Sequence, residues 1–319
     1  MEQNMSLPAD LPSRQQAGQE DFDRLLRLGS RYCINFGWLV ERDETRVVHG
    51  NYATVYQGIL QPEGRRIAIR IIRQWKEEDD GRKRMLREVY LWCQLRHKNI
   101  LPLLGITTAF DNTISIVSPW MDRNALQYVQ NRTIDPRPLI LGVAKGLCYL
   151  HNHQPPVYHG DVKGTNILIS DEGQPLITGF GLSRLANSAF DLAVEDPYRG
   201  GTLQWMAPEY LNTGNVTAEA DVWAFGLTAL ELFTGEVPFH DTRNVANVVN
   251  RIMGGQLPQR PRNKSTGSRL TNKWWQICSL CWKPDPPLRP TMLQIVEMIV
   301  GAESHATLSS HSHSWLLTR

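Results

Sequence analysis

Residues 157 to 181 read V-Y-H-G-D-V-K-G-T-N-I-L-I-S-D-E-G-Q-P-L-I-T-G-F-G, and this stretch restricts the fold more than any other. Two short apolar runs, Ile167 to Ile169 and Leu176 with Ile177, flank a turn at Asp171, Glu172 and Gly173, which predicts a β-hairpin. A polar loop ahead of the first run presents His159, Asp161, Lys163 and Asn166 at fixed offsets, and Gly179-Phe180-Gly181 follows the second. Any loop can hold Asp, Lys and Asn by chance. Four such residues at set spacing before an apolar hairpin point to a site instead.

The spacing resembles the catalytic loop of protein kinases, H-R-D-x-K-x-x-N, with Gly160 in place of the Arg. Gly179-Phe180-Gly181 falls where that family carries D-F-G. The resemblance implies an α+β, bilobal protein-kinase fold, with a small β-rich N-lobe holding one main helix and a larger, mostly helical C-lobe. Phosphoryl transfer needs a carboxylate near the acceptor hydroxyl, a cation near the γ-phosphate and oxygen ligands for magnesium. By resemblance Asp161 is the base, Lys163 the phosphate contact and Asn166 a magnesium ligand. Gly179 offers that metal no oxygen, so the resemblance implies ATP as cofactor with Mg2+ held weakly or not at all.

From Arg46 to Arg73 the pattern is that of strands: Val47 and Val48, Thr54 to Leu60, and Arg66 to Ile72, separated by Gly and Pro-Glu-Gly turns. In a kinase the first two form the phosphate-covering hairpin. Its Gly-rich loop G-x-G-x-x-G-x-V reads here Val48-His49-Gly50-Asn51-Tyr52-Ala53-Thr54-Val55, with Gly50 and Val55 kept. The V-A-x-K strand reads Ile67-Ala68-Ile69-Arg70. Arg keeps the charge, but its planar fork does not replace an ammonium. Glu88, in the helix expected over Asp79 to Leu95, is the implied partner of Arg70; the plainer reading is a solvated helix residue. Ser118-Pro119-Trp120-Met121 looks like the adenine hinge, where Pro119 lacks an N–H but Met121 keeps one. Val55, Ala68 and Leu168 match the apolar positions that sandwich the ring. Val48, Gly50, Arg70, Glu88, Ser118 and Met121 complete the implied nucleotide site.

Beyond Met121 the pattern turns helical. Leu139, Val143, Leu147 and Leu150 lie on one face of a helix over Pro138 to His151. His159, Phe180, Trp92 and Leu103 match the four side chains that kinases stack through the core. Ser183 to Tyr198 resembles an activation segment, and Gly160 removes the Arg that clamps a phosphate there. Lys163, and Thr202 before Trp205-Met206-Ala207-Pro208-Glu209, look like a serine/threonine kinase of the tyrosine-kinase-like group. Asp221 is expected to hydrogen-bond the catalytic-loop backbone, and Arg289 to pair with Glu209. Several phrases are similar to kinases of mushroom-forming fungi.

The domains expected are an N-terminal extension at 1–45 (disordered, then a short helix from Asp21 to Cys33), a kinase-like domain at 46–301 and a flexible tail at 302–319. The lobes divide at 121/122. The net charge of +2 names no polyanionic partner, and no apolar run reaches membrane-span length. Five cysteines suit a reducing, cytoplasmic setting, with Cys278 and Cys281 read as a buried helical pair and not a metal site. His305, His311 and His313 are read as solvated. The partners expected are proteins, as binders or substrates, with no nucleic acid or membrane and no oligomeric state specified.

Two departures, Arg70 and Gly179, favour a pseudokinase that acts as scaffold or nucleotide sensor. The alternative is an active ATP-dependent serine/threonine kinase, since Asp161, Lys163, Asn166, Glu88 and Thr202 all remain.

Overall fold

Strand pairing sets which side chains share a surface. In the computed structural model, which describes residues 27, 30–49, 53–72, 78–110, 113–185, 203–242, 244–261, 266 and 269–302, the first lobe is a six-stranded sheet. Its strands are β1 (Ile34–Asn35), β2 (Val40–His49), β3 (Ala53–Leu60), β4 (Arg65–Ile72), β5 (Gly105–Thr107) and β6 (Ser115–Pro119), in the order β1-β5-β6-β4-β3-β2. Ile69 pairs with Val117 and Leu60 with Val40. With Ile67 they bury one face as a separate apolar cluster. Alternation turns the neighbouring residues to the other face. There Val48 lies opposite Val55, Val55 opposite Arg70, and Ala68 opposite Ser118.

The sheet begins before residue 46, where the sequence reading placed the end of an extension. β1 pairs parallel with β5, and β2 starts at Val40. The charged run Glu41-Arg42-Asp43-Glu44 hides the strand because β2 lies at the sheet edge, where charges stay in water. Of the helix expected over Asp21 to Cys33, Arg27 and Ser30 to Tyr32 are helical, and its apolar residues Phe22, Leu25, Leu26 and Leu28 lie outside the described residues. The same holds for residues 1–20, Gly50, most of the segment from Ser183 to Tyr198, Thr202 and the tail histidines.

Helix α1 (Glu78–Trp92) crosses behind the sheet, held through the buried Met85, Val89, Leu91 and Trp92. The second lobe holds α2 (Ala125–Tyr128), α3 (Arg137–His151), α4 (Pro208–Thr213), α5 (Ala218–Thr234), α6 (Val245–Met253), α7 (Asn272–Cys281) and a last helix, α8, over 292–302. In α3 the predicted stripe Leu139, Val143, Leu147 and Leu150 is buried. In α5 nearly every side chain is buried, the mark of a helix apolar all round that runs through a core. Thr217 caps α5, accepting the Ala220 N–H at 3.1 Å. Short strands β7 (Arg123–Asn124), β8 (Val157–Tyr158), β9 (Ile167–Ile169), β10 (Pro175–Ile177) and β11 (Arg184–Leu185) line the junction of the lobes. β9 and β10 pair antiparallel, as the hairpin pattern predicts. Cys278 and Cys281 are buried in α7, and burial pushes the Cys278 thiol up to about 12. No helix among the described residues is long and apolar enough to cross a membrane.

Candidate active site

The loop from β8 to β9 is pinned from below by one buried carboxylate. Asp221, at the start of α5, accepts the backbone N–H groups of His159 at 2.7 Å and Gly160 at 2.8 Å, and lies 3.0 Å from His151 Nε2. His159 in turn accepts the Asp161 N–H on Nδ1 at 3.1 Å, which leaves Nε2 to donate to the Thr178 carbonyl at 2.9 Å. Gly160 adopts φ +75°, and a Cβ there would meet Val216 and the Leu182 carbonyl at 3.0 and 3.1 Å. The position expected for Arg is therefore shaped for glycine, by conformation and by space.

Above this base, three of the predicted site residues converge. Lys163 Nζ lies 2.9 Å from Asp161 Oδ2. Asn166 donates its amide to the same oxygen at 2.6 Å and to the Asp161 backbone carbonyl at 2.8 Å. A small cavity beside Asp161 is lined by Val162, Trp205, Met206 and Tyr210. The arrangement orients the Asp161 carboxylate and sets a cation next to it.

Arg70 on β4 and Glu88 on α1 form an ion pair joining the sheet to the helix. Glu88 is almost fully buried, so it is no solvated helix residue, and it packs against Gly181. From α1 the contact runs onward. Trp92 meets Phe180 at 5.4 Å between ring centroids, Phe180 meets His159 at 5.3 Å, and Leu103 lies in the same core. The stack read from sequence is assembled.

Val55, Ala68, Arg70 and Ser118 share the sheet face turned to this junction, while Leu168 on β9 and Met121 after β6 are half-buried beside it. Val48 sits on β2 opposite Val55 and is exposed. Past the hinge, Trp120 donates its indole N–H to Asp122 at 2.9 Å, and Arg66 pairs with Asp122 at the same distance.

Position 179, where the resemblance implies a magnesium ligand, offers no side-chain oxygen. Gly179 has φ +87°, and a Cβ built on it would lie 2.8 Å from Asn166 Cγ. Asn166 thus fills the space where a carboxylate side chain at 179 would start, and its amide is committed to Asp161. Among the described residues no group of three or more His, Cys, Asp or Glu side chains is placed to hold a metal. The Asp161 carboxylate faces Lys163 through Oδ2, while its Oδ1 has no hydrogen-bond partner.

One residue escaped the sequence reading. Glu231 on α5 accepts the Gly164 N–H at 2.9 Å and the Trp205 indole N–H at 3.0 Å, so it ties the catalytic loop to the turn before α4. Burial raises its carboxyl to about 7, against the lowering effect of both hydrogen bonds and of nearby Lys163. A lone acid within the apolar run Ala229-Leu230-Glu231-Leu232-Phe233 was the available signal. Glu209, in the first turn of α4, forms the expected pair with Arg289, bidentate at 2.5 and 2.9 Å.

Residues 42–299 match the Protein kinase domain family. The LRR receptor kinase SERK2 of Oryza sativa subsp. japonica is 30% identical over 273 residues, covering 79% of this chain and 44% of that protein. Serine/threonine-protein kinase CTR1 of Arabidopsis thaliana is 30% identical over 83% of the chain and 32% of its own length. Probable serine/threonine-protein kinase PBL8 of Arabidopsis thaliana is 31% identical over 78% of the chain and 66% of its own. The chain spans less than half the length of the first relatives it matches.

Proposed function

The chain belongs to the protein kinase domain family, and from that premise we propose that it is a signalling protein that uses the fold for binding, with weak or no phosphoryl transfer. The observation that carries this reading is Asn166 packed into the space beside Gly179. Kinases transfer phosphate with magnesium bridging the phosphate oxygens, held by a carboxylate at this position. Removing charge stabilisation of the transition state costs powers of ten in rate, and here the strand Lys is replaced as well. Arg70 is tied to Glu88, so the link between sheet and helix is made by protein groups alone. That favours a scaffold or a nucleotide sensor with protein partners, in the reducing setting that its five cysteines suit.

A second reading, an active serine/threonine kinase, is favoured by one observation. The Trp92–Phe180–His159 stack and the Arg70–Glu88 pair are both formed, with Asp161 held ready. Thermal-shift titration with ATP, with and without Mg2+, separates the readings. The proposal expects either no shift, as for a scaffold, or a shift that Mg2+ does not enlarge, as for a sensor. A shift that requires Mg2+, together with autophosphorylation, overturns it.

A further inference from the structure

Where the segment after α1 meets the outer side of α3, five basic groups surround Tyr149. The Tyr149 ring stacks on His97 at 5.0 Å between centroids and meets His153 edge-on at 6.0 Å. Its hydroxyl accepts the Arg96 backbone N–H at 2.9 Å. Arg96 and Lys98 are exposed, and His97, Lys145 and His153 are half-buried. Burial first, then repulsion from Lys98 and Lys145, lowers the His97 pKa below the usual imidazole value. Arg96 reaches only the Leu95 carbonyl, at 2.8 Å, and neither lysine forms an ion pair among the described residues. One carboxylate comes near: Glu297 of α8 acts on Cys148, a turn along α3 from Lys145, and makes no ion pair with it.

We propose that this surface docks an acidic peptide segment of a protein partner. Its cations repel one another with no ion-paired carboxylate among the described residues, and a row of side-chain anions relieves that repulsion. The His97 imidazole covers one face of Tyr149 and His153 meets the ring edge-on, so the stacked face is closed to nucleic-acid bases. The overall charge of +2 is likewise too small for a general polyanion binder, which leaves a local, peptide-sized site. None of these residues belongs to the cleft described above, so the proposal does not depend on whether the cleft transfers phosphate.

The test is fluorescence anisotropy on the full chain at low salt, with a labelled oligoglutamate peptide and its oligoglutamine counterpart. Oligoglutamate is expected to bind and oligoglutamine not to. Lys98→Glu with Lys145→Glu should weaken binding by about tenfold or more, a loss of roughly 1.4 kcal/mol. Lys98→Gln with Lys145→Gln, a milder change should the reversal unfold the chain, should weaken it by about threefold. In NMR titrations the His97 pKa should rise when the peptide is bound, because anions then face Lys98, Lys145, Arg96 and His153 around it. Equal binding of the two peptides, no binding, or no effect of either double variant overturns the proposal. So does displacement by inorganic phosphate at equal concentration, or tighter binding of a single-stranded oligonucleotide.

Discussion

Asn166 stands where a side chain on Gly179 would begin: a Cβ there would approach the Asn166 Cγ to 2.8 Å. The Asn166 amide beside that position donates to Asp161 at 2.6 Å. Asp161 Oδ1 is left buried without a hydrogen-bond partner.

Restoring the carboxylate has a cost in stability. Gly179→Asp places a Cβ 2.8 Å from Asn166 Cγ; Asp tolerates the left-handed φ there, so the cost, about 1–3 kcal/mol, comes from that crowding. Asn166 must also rotate away from Asp161. Differential scanning fluorimetry should show the melting temperature falling by roughly 2–8 °C. An unchanged melting temperature would contradict the packing described. Combined with Arg70→Lys, the change should raise phosphoryl transfer; no gain would place the remaining defect in the phosphate loop around Val48 and Ala53.

The Arg70–Glu88 pair should hold α1 in place. Glu88 is almost fully buried, so Arg70→Ala leaves a carboxylate without its counter-charge, a loss of about 3 kcal/mol. Hydrogen exchange across residues 85–92 should accelerate in Arg70→Ala and much less in Arg70→Lys. Equal protection in both variants would mean that apolar packing alone fixes the helix.

Arg289 has a side chain with no exposed surface, and it also donates to the Lys283 carbonyl at 2.9 Å and lies over the Trp223 ring. Glu209→Ala strands that charge in the core, so urea unfolding should show a loss of about 3–5 kcal/mol. A loss below 1 kcal/mol would contradict the role assigned to the pair.

Glu231 makes stability depend on pH. Its folded-state pKa, about 7, lies above the ordinary 4.5, so the folded chain holds the proton more tightly than the unfolded chain. The stabilisation is complete below pH 4.5 and is lost as pH rises through 7, at most about 3 kcal/mol for this one group. Glu231→Gln still accepts from Gly164 and Trp205 but does not titrate. Its unfolding free energy should fall less than that of the parent chain between pH 5 and 8. Parallel pH profiles would remove Glu231 as the cause.

The parts of this account legible in sequence are those set by spacing. His159, Asp161, Lys163 and Asn166 converge because a short loop between two strands leaves them few arrangements. Asp221, Glu88 and the Arg289–Glu209 pair were readable through the resemblance to protein kinases, whose motifs place these residues. β1 and the first half of β2 were not, since an edge strand rich in charge carries no apolar alternation. Nor was the filling of the Gly179 space by Asn166: a missing side chain tells nothing of what moves into the gap. The burial of Glu231 depends on Trp205 and Gly164, which approach it from distant parts of the chain.

The central claim is that Asp161 is oriented but has no metal-loaded phosphate to act with. Its most direct test compares Mg2+·ATP-dependent phosphoryl transfer by the parent chain with that of Asp161→Asn. A catalytic base is worth about 10²–10⁴ in rate where it functions. The account predicts that both proteins transfer phosphate at the same background rate. A parent rate a hundredfold or more above that of Asp161→Asn would contradict it.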